Sequence, residues 1–253
     1  IAGFNQEEYR YENTQLGRKD LISTSLPTLG LATGDMSVSE SITTWALRGG
    51  YARFNYTFDD KYIAEFNGRY DGTSRFPKDS RFVFNPSGSV AWVVSREKIF
   101  KPFENIFSFF KLRYSYGVLG NQDVGAYEYI ATMGSGQTSQ IIDGEQPVYV
   151  NAPGLVSGGL TWEKVSTSNL GVEMNFLNNQ LTFNGDYYVR RTKDMLTTGE
   201  PLPNVLGTSV PKENTADLKT EGWEITLGWK DRFKLGGKPF DYQLGFNLAD
   251  SRA

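Results

Sequence analysis

The sequence contains no cysteine and no histidine. Without thiols there is no disulfide framework, no thiolate nucleophile and no thiolate metal site. Without imidazole the commonest general base and metal ligand are missing, which excludes triad hydrolysis and histidine-based zinc chemistry. Long apolar runs are lacking as well. No stretch approaches the ~18 consecutive apolar residues of a membrane helix, so a helical membrane protein is excluded. Nor is there an excess of positive charge: 26 Lys and Arg against 29 Asp and Glu give a net charge of −3, which argues against a nucleic-acid-binding module. The chain starts at Ile1 with neither a methionine nor a signal peptide, so processing or truncation is expected to have removed any address label. Its 253 residues admit one large β domain or two smaller ones.

What the sequence does contain is alternation. Tyr62, Ala64, Phe66, Gly68 and Tyr70 interleave with Lys61, Glu65, Asn67, Arg69 and Asp71. Trp223, Ile225, Leu227 and Trp229 interleave with Glu224, Thr226 and Lys230. Leu181, Phe183, Tyr187 and Val189 stand against Asn184, Asp186 and Arg190, and Leu170, Val172, Met174 and Phe176 against Asn169, Glu173 and Asn175. A period of two makes one face of a strand apolar and the other wet. With 14 Tyr, 17 Phe and 5 Trp beside a negative mean hydropathy, the pattern fits a β-barrel with a thin aromatic-rich lipid face and a polar lumen. A secreted β-sandwich is the plainer alternative.

About nine strands follow from the alternation, within 3–14, 43–58, 61–72, 82–94, 111–119, 161–177, 180–196, 218–232 and 240–250. Asp59-Asp60, Asn178-Asn179 and the 234–239 segment with Gly236-Gly237 are turn chemistry for closing hairpins. Long links are expected at 16–42, 73–81, 120–160 and 197–217. Short and long connections therefore alternate, as they do between the periplasmic and extracellular ends of an outer-membrane barrel. One short-end link, 95–110, places Ile99, Phe103, Ile106, Phe107 and Phe110 at helical spacing. It predicts a short amphipathic helix beneath the barrel wall, interrupted at Pro102.

Several blocks resemble the SusC/RagA family of TonB-linked outer-membrane transporters. They are Asp60-Lys61-Tyr62 and Arg69-Tyr70-Asp71-Gly72-Thr73-Ser74-Arg75-Phe76, then Lys111-Leu112-Arg113 with Gly117-Val118-Leu119-Gly120-Asn121-Gln122. Leu160-Thr161-Trp162-Glu163-Lys164, Asn169-Leu170-Gly171, the 187–196 run YYVRRTKDML, and Asn214 followed by Glu221-Gly222-Trp223-Glu224 continue it in the same order. The resemblance implies an importer of oligosaccharides or peptides with a plugged barrel of about 22 strands. It would be energised by the TonB complex, covered by a SusD-like surface lipoprotein, and located in the outer membrane of a Gram-negative bacterium. Residues 1–253 would then be part of the barrel domain, an all-β antiparallel transmembrane segment. The plug domain, the TonB box and the carboxy-terminal strands lie outside it. An odd count of about nine strands agrees, because bacterial single-chain barrels are even-numbered and an open edge in lipid strands backbone polar groups.

Candidate site residues fall into two groups. Arg53, Arg69, Asp71, Arg113, Asp186 and Arg190 alternate with the apolar face and are expected to line the lumen, either as compensating ion pairs or as substrate guides. Tyr127, Tyr129, Tyr149 and Asn151 lie in the longest link and are expected to contact a sugar or peptide substrate, or a lid lipoprotein. Tyr56, Phe58, Tyr62, Trp223 and Trp229 are expected to form aromatic girdles against outer-membrane lipid. No catalytic residue, metal site or cofactor is expected: Asp59-Asp60 reads as a turn, Asp71 and Asp79 need not converge, and the glycines near 134 and 154 follow no phosphate-binding pattern. The alternative functions are a surface adhesin or structural barrel without transport and, less well supported without histidine, an outer-membrane enzyme.

Overall fold

The computed structural model describes all residues 1–253. Nine strands form one antiparallel sheet: β1 (Ala2–Arg18), β2 (Met36–Phe58), β3 (Tyr62–Thr73), β4 (Phe82–Trp92), β5 (Phe107–Asn121), β8 (Glu163–Phe176), β9 (Leu181–Thr198), β10 (Lys212–Leu235) and β11 (Lys238–Arg252). Between β5 and β8 lies a separate small hairpin, β6 (Ser135–Gln137) with β7 (Val148–Val150). Sheet neighbours follow chain order from β1 to β11, and the two outer strands do not pair with each other. The result is an open up-and-down sheet. A sandwich would need a second large sheet over one face, and none is present.

The register makes the sequence alternation continuous in space. Ala52, Phe54, Tyr56 and Phe58 of β2 stand opposite Gly68, Phe66, Ala64 and Tyr62 of β3. Ala64 and Tyr62 in turn face Val90 and Trp92 of β4, which meet Tyr114 and Leu112 of β5. The row continues through Leu170 and Val172 of β8, Tyr187 and Gly185 of β9, and Trp223 and Ile225 of β10 to Asp250 and Leu248 of β11. This face is almost entirely exposed apolar side chain, with Phe54, Phe66, Val90 and Leu170 all more than half exposed. A water-soluble protein does not leave a patch of this extent uncovered; a lipid-facing wall requires it.

Connections alternate as expected. One end has the tight reversals 59–61, 177–180 and 236–237 and the link 93–106; the other has 19–35, 74–81, 122–162 and 199–211. Asp59 and Asp60 (φ 50° and 51°), Asn178 and Asn179 (55° and 67°), and Gly236 and Gly237 (58° and 81°) occupy the left-handed region. Tight hairpin turns use that region, and Asp, Asn and Gly enter it most readily, although Leu177 (φ 52°) is also held there.

Three expectations need correction. First, β1 and β2 are longer than the alternation suggested and stay paired from Ala2↔Ala52 to Arg18↔Met36. Their far halves extend beyond the aromatic band, and there the alternation is broken: Met36, Val38 and Ile42 alternate with Ser37, Ser39 and Ser41, but Glu40 and the facing Glu12, Thr14 and Arg18 interrupt the apolar row. Second, the 120–160 link, read from the sequence only as a long connection, contains the small hairpin β6–β7. Third, the 95–110 segment is not an α-helix. It forms 3-10 turns at Val94–Arg96 and Lys98–Phe103, and β5 already begins at Phe107. Pro102 supplies no N–H for an α-helical ladder. The remaining bonds close over three residues, from Phe100 N–H to Glu97 O at 3.0 Å and from Ile106 N–H to Phe103 O at 3.0 Å.

Where the sheet meets the long loops there is a small core of Phe76, Val83, Val124, Leu160 and Trp162, with Tyr129 and Leu196 packed against it. Trp162 donates its indole N–H to the Arg81 carbonyl at 3.2 Å, and Asn214 holds Thr161 from both sides at 3.0 Å. The bases of three long loops are thereby fixed to one another.

Candidate functional site: the polar face

The opposite face carries the charges, and most are paired. Arg53 of β2 reaches Glu65 of β3 at 2.7 Å, and Glu65 also accepts from Asn67 at 2.8 Å. Arg69 pairs with Asp71 at 2.9 Å, and Asn85 of β4 donates to the same carboxylate at 3.3 Å. Farther along the sheet, Lys111 and Arg113 of β5 both lie 3.2 Å from Glu173 of β8. Arg113 continues across to Asp186 of β9 at 2.6 Å, which also takes a bond from Asn169 at 2.8 Å.

Arg113 spans an entire strand to do this. Gly171 of β8 stands directly between it and Asp186 in the register. A Cβ at Gly171 would sit 2.5 Å from the Arg113 Nε, so the bridge exists because that position has no side chain. Arg190 stands apart: it makes no ion pair and its guanidinium lies 6.0 Å from the Tyr188 ring centroid.

Near the long-loop end the polar face forms a concavity of about 360 Å³ whose lining includes Asn67, Arg69, Asp71, Asn85, Gln122 and Trp162. Asn85 is only 7 % exposed. Its Oδ1 and the Gln122 Oε1 are buried without any hydrogen-bond partner. Buried acceptors are normally satisfied, so these two oxygens are an unused polar capacity just beneath the wall of the concavity. Arg69 and Asp71 belonged to the expected set. Asn85, Gln122 and Trp162 were missed as wall residues, because an isolated amide or indole at a strand or loop position carries no periodic signal.

The loop candidates divide. Tyr127 and Tyr129 lie together, ring centroids 6.2 Å apart. The Tyr129 hydroxyl accepts from Arg81 at 3.3 Å, so it is engaged in the loop-base core. Tyr149 belongs to β7, about half exposed, and Asn151 closes that hairpin by a backbone bond to Gly134 at 2.8 Å. The girdle candidates Tyr56, Phe58, Tyr62, Trp223 and Trp229 all lie on the apolar face. Phe58 and Tyr62 stack beside the 59–61 turn, and Trp229 donates to the Tyr242 hydroxyl at 3.0 Å. Beyond Trp223 the same face of β10 turns charged, with Lys219 bridged to Glu221.

At the short-turn end a polar clasp ties the 59–61 turn to the 93–106 link. Glu97 accepts from the Tyr62 hydroxyl at 2.7 Å and the Trp92 indole at 3.3 Å, with Lys61 at 3.9 Å. These partners, the Tyr62 bond foremost, hold the Glu97 carboxyl below its ordinary range. The bond from Lys61, 2.7 Å away, does the same to Asp59, and Lys61 is raised in return. Arg96 bridges Asp60 at 3.0 Å.

This architecture has close relatives. Residues 2–252 match the family model described as TonB dependent receptor-like, beta-barrel. The chain belongs to that family. It is 26 % identical over its whole length to TonB-dependent receptor P3 of Formosa agariphila, covering 25 % of that protein. It is 29 % identical to TonB-dependent receptor SusC of Bacteroides thetaiotaomicron, over 78 % of this chain and 20 % of SusC. Among solved structures, the RagAB peptide importer in its closed-closed state superposes with a TM-score of 0.79 at 25 % identity, over 99 % of this chain and 27 % of the matched chain. The chain thus spans about a quarter of the length of the relatives it matches.

Proposed function

We propose that residues 1–253 form part of the wall of an outer-membrane, TonB-dependent importer of oligosaccharides or peptides. It sits in a Gram-negative outer membrane with its short turns in the periplasm. A plug and further barrel strands are supplied outside the segment, and the whole transporter moves nutrients without altering them chemically, by rearrangement of the plug within a rigid barrel. The observation that carries this reading is the sheet itself. One face is a continuous apolar band and the other a row of compensated charges, and the connections alternate short and long. The family membership supports it, as do the names of two relatives, a peptide importer for RagAB and SusC for the Bacteroides protein.

The remaining assignments follow from this reading. Arg53, Arg69, Asp71, Arg113, Asp186 and Arg190 line the lumen. The Arg69–Asp71 concavity receives either the plug or a passing substrate. Tyr127, Tyr149 and Asn151 face a substrate or a SusD-like lipoprotein at the cell surface. Tyr56, Phe58, Tyr62, Trp223 and Trp229 mark the girdles.

The test is uptake by cells carrying or lacking the whole gene, supplied with labelled oligosaccharide and peptide mixtures, with and without a protonophore. Import that needs both the gene and the energised inner membrane supports the proposal. Unchanged uptake of every mixture in the deletion strain, together with altered attachment to surfaces, would replace it with the adhesin reading.

A further inference from the structure

The link between β4 and β5 carries a surface that construction of the sheet does not use. Its 3-10 turn, Lys98–Phe103, packs against the apolar face rather than beneath the wall. Phe100 is buried, with its ring centroid 5.7 Å from Phe107 and 5.8 Å from Phe110. Phe110 pairs with Met174 on that face, and Phe107 lies 4.8 Å from Phe176.

A 3-10 helix has three residues per turn, so residues three apart eclipse. The turn therefore has three distinct sides. Phe100 and Phe103 form one side: Phe100 meets the aromatic cluster, and Phe103, its ring 5.7 Å from Phe100, stays half exposed. Ile99 and Pro102 form a second, apolar side, with Ile99 76 % exposed. Lys98 and Lys101 form the third, stacked one above the other and exposed. Ile106, just beyond, is also more than half exposed.

The charges of this corner sum to zero, Lys61, Arg96, Lys98 and Lys101 against Asp59, Asp60, Glu97 and Glu104, but their pairing is uneven. The nearby acids Asp59, Asp60 and Glu97 are already bound to Lys61, Arg96, Tyr62 and Trp92. Lys98 and Lys101 make no ion pair, and Glu104 is the one acid of the turn's own margin left over. Convergence of the Tyr62 hydroxyl and the Trp92 indole on Glu97 marks this level as a polar–apolar boundary, where amphipathic rings settle in membranes.

We propose that residues 98–106 form a docking surface for anionic glycerophospholipid in the periplasmic leaflet. Lys98 and Lys101 hold the headgroup phosphate, while Ile99, Phe103 and Ile106 lie against the upper acyl chains. Charge complementarity selects the ligand: two ammonium groups without ion pairs sit beside an apolar wedge at the edge of a lipid-facing band. The inference rests on the periplasmic placement of the short turns given above.

The experiment uses the intact transporter purified in mild detergent and mixed with phosphatidylglycerol, phosphatidylethanolamine or lipid A, with retained lipid read by native mass spectrometry. The wild type is expected to retain phosphatidylglycerol over phosphatidylethanolamine several-fold. The K98Q/K101Q double variant should lose that preference, and K234Q/K238Q on the more distant β10–β11 hairpin of the same short end should keep it. An unchanged preference in K98Q/K101Q, an equal loss in both variants, or stronger retention of lipid A by the wild type would overturn the proposal. Heat-modifiable migration on gels, read in the same samples, reports the barrel itself. Its loss in the wild type would strike the barrel reading, whereas lost lipid selectivity with migration intact strikes only this site.

Discussion

At the scale of single residues, the polar face is organised by what glycine leaves out. Arg113 and Asp186 are 73 residues apart in sequence and on strands that do not touch. They meet because Gly171 leaves the intervening position open. Both side chains are partly buried, so separating them leaves charges with fewer partners rather than returning them to free water. Gly171→Ala should therefore displace the Arg113 guanidinium and cost about 1–3 kcal/mol, read by urea unfolding of the whole protein in lipid vesicles. The same substitution in an Asp186→Asn background should cost clearly less, because the bridge is already weakened. Equal costs in the two backgrounds would show that the glycine serves only backbone packing. The alternation placed Arg113 and Asp186 on the polar face, but not as partners: pairing depends on register, and register is fixed by three strands at once.

At the scale of elements, legibility followed the solvent. β3, β8 and β9 were readable because each has one face in each environment, so composition alternates. The far halves of β1 and β2 were not, because Glu12, Thr14, Arg18 and Glu40 interrupt the apolar row there. The 93–106 link misled for a different reason. Its apolar residues Ile99, Phe103, Ile106, Phe107 and Phe110 fit an α-helical face, but Phe100, Phe103 and Ile106 recur at three, which suits the tighter 3-10 turn that Pro102 leaves available. The loop-base core was also hidden, since Phe76, Val124 and Trp162 come from loops whose sequences look merely mixed.

The clasp at Glu97 gives this element a pH dependence. Folding lowers the carboxyl below its ordinary value near 4.5. Its contribution is then complete above that value and disappears as pH falls through the lower folded value. Wild type should lose stability relative to Glu97→Gln as unfolding is measured from pH 6 down to pH 3. A constant difference between the two across that range would mean that Glu97 is not ionised in the clasp.

At the scale of the molecule, the sheet has two unpaired edges, β1 and β11, and a wall of this kind is stable in a membrane only when such edges are closed. The family match and the quarter-length coverage of relatives fit a wall completed by other strands. Every functional assignment above depends on which face meets lipid. The absence of cysteine from this segment makes that directly measurable. Nitroxide labels placed one at a time from position 62 to position 71 in the intact protein, reconstituted in lipid, can be challenged with apolar oxygen and with a water-soluble nickel chelate. The account predicts a period of two, with oxygen favoured at 62, 64, 66, 68 and 70 and the chelate at 63, 65, 67, 69 and 71. Accessibility without that alternation, or with its phase reversed, would contradict it.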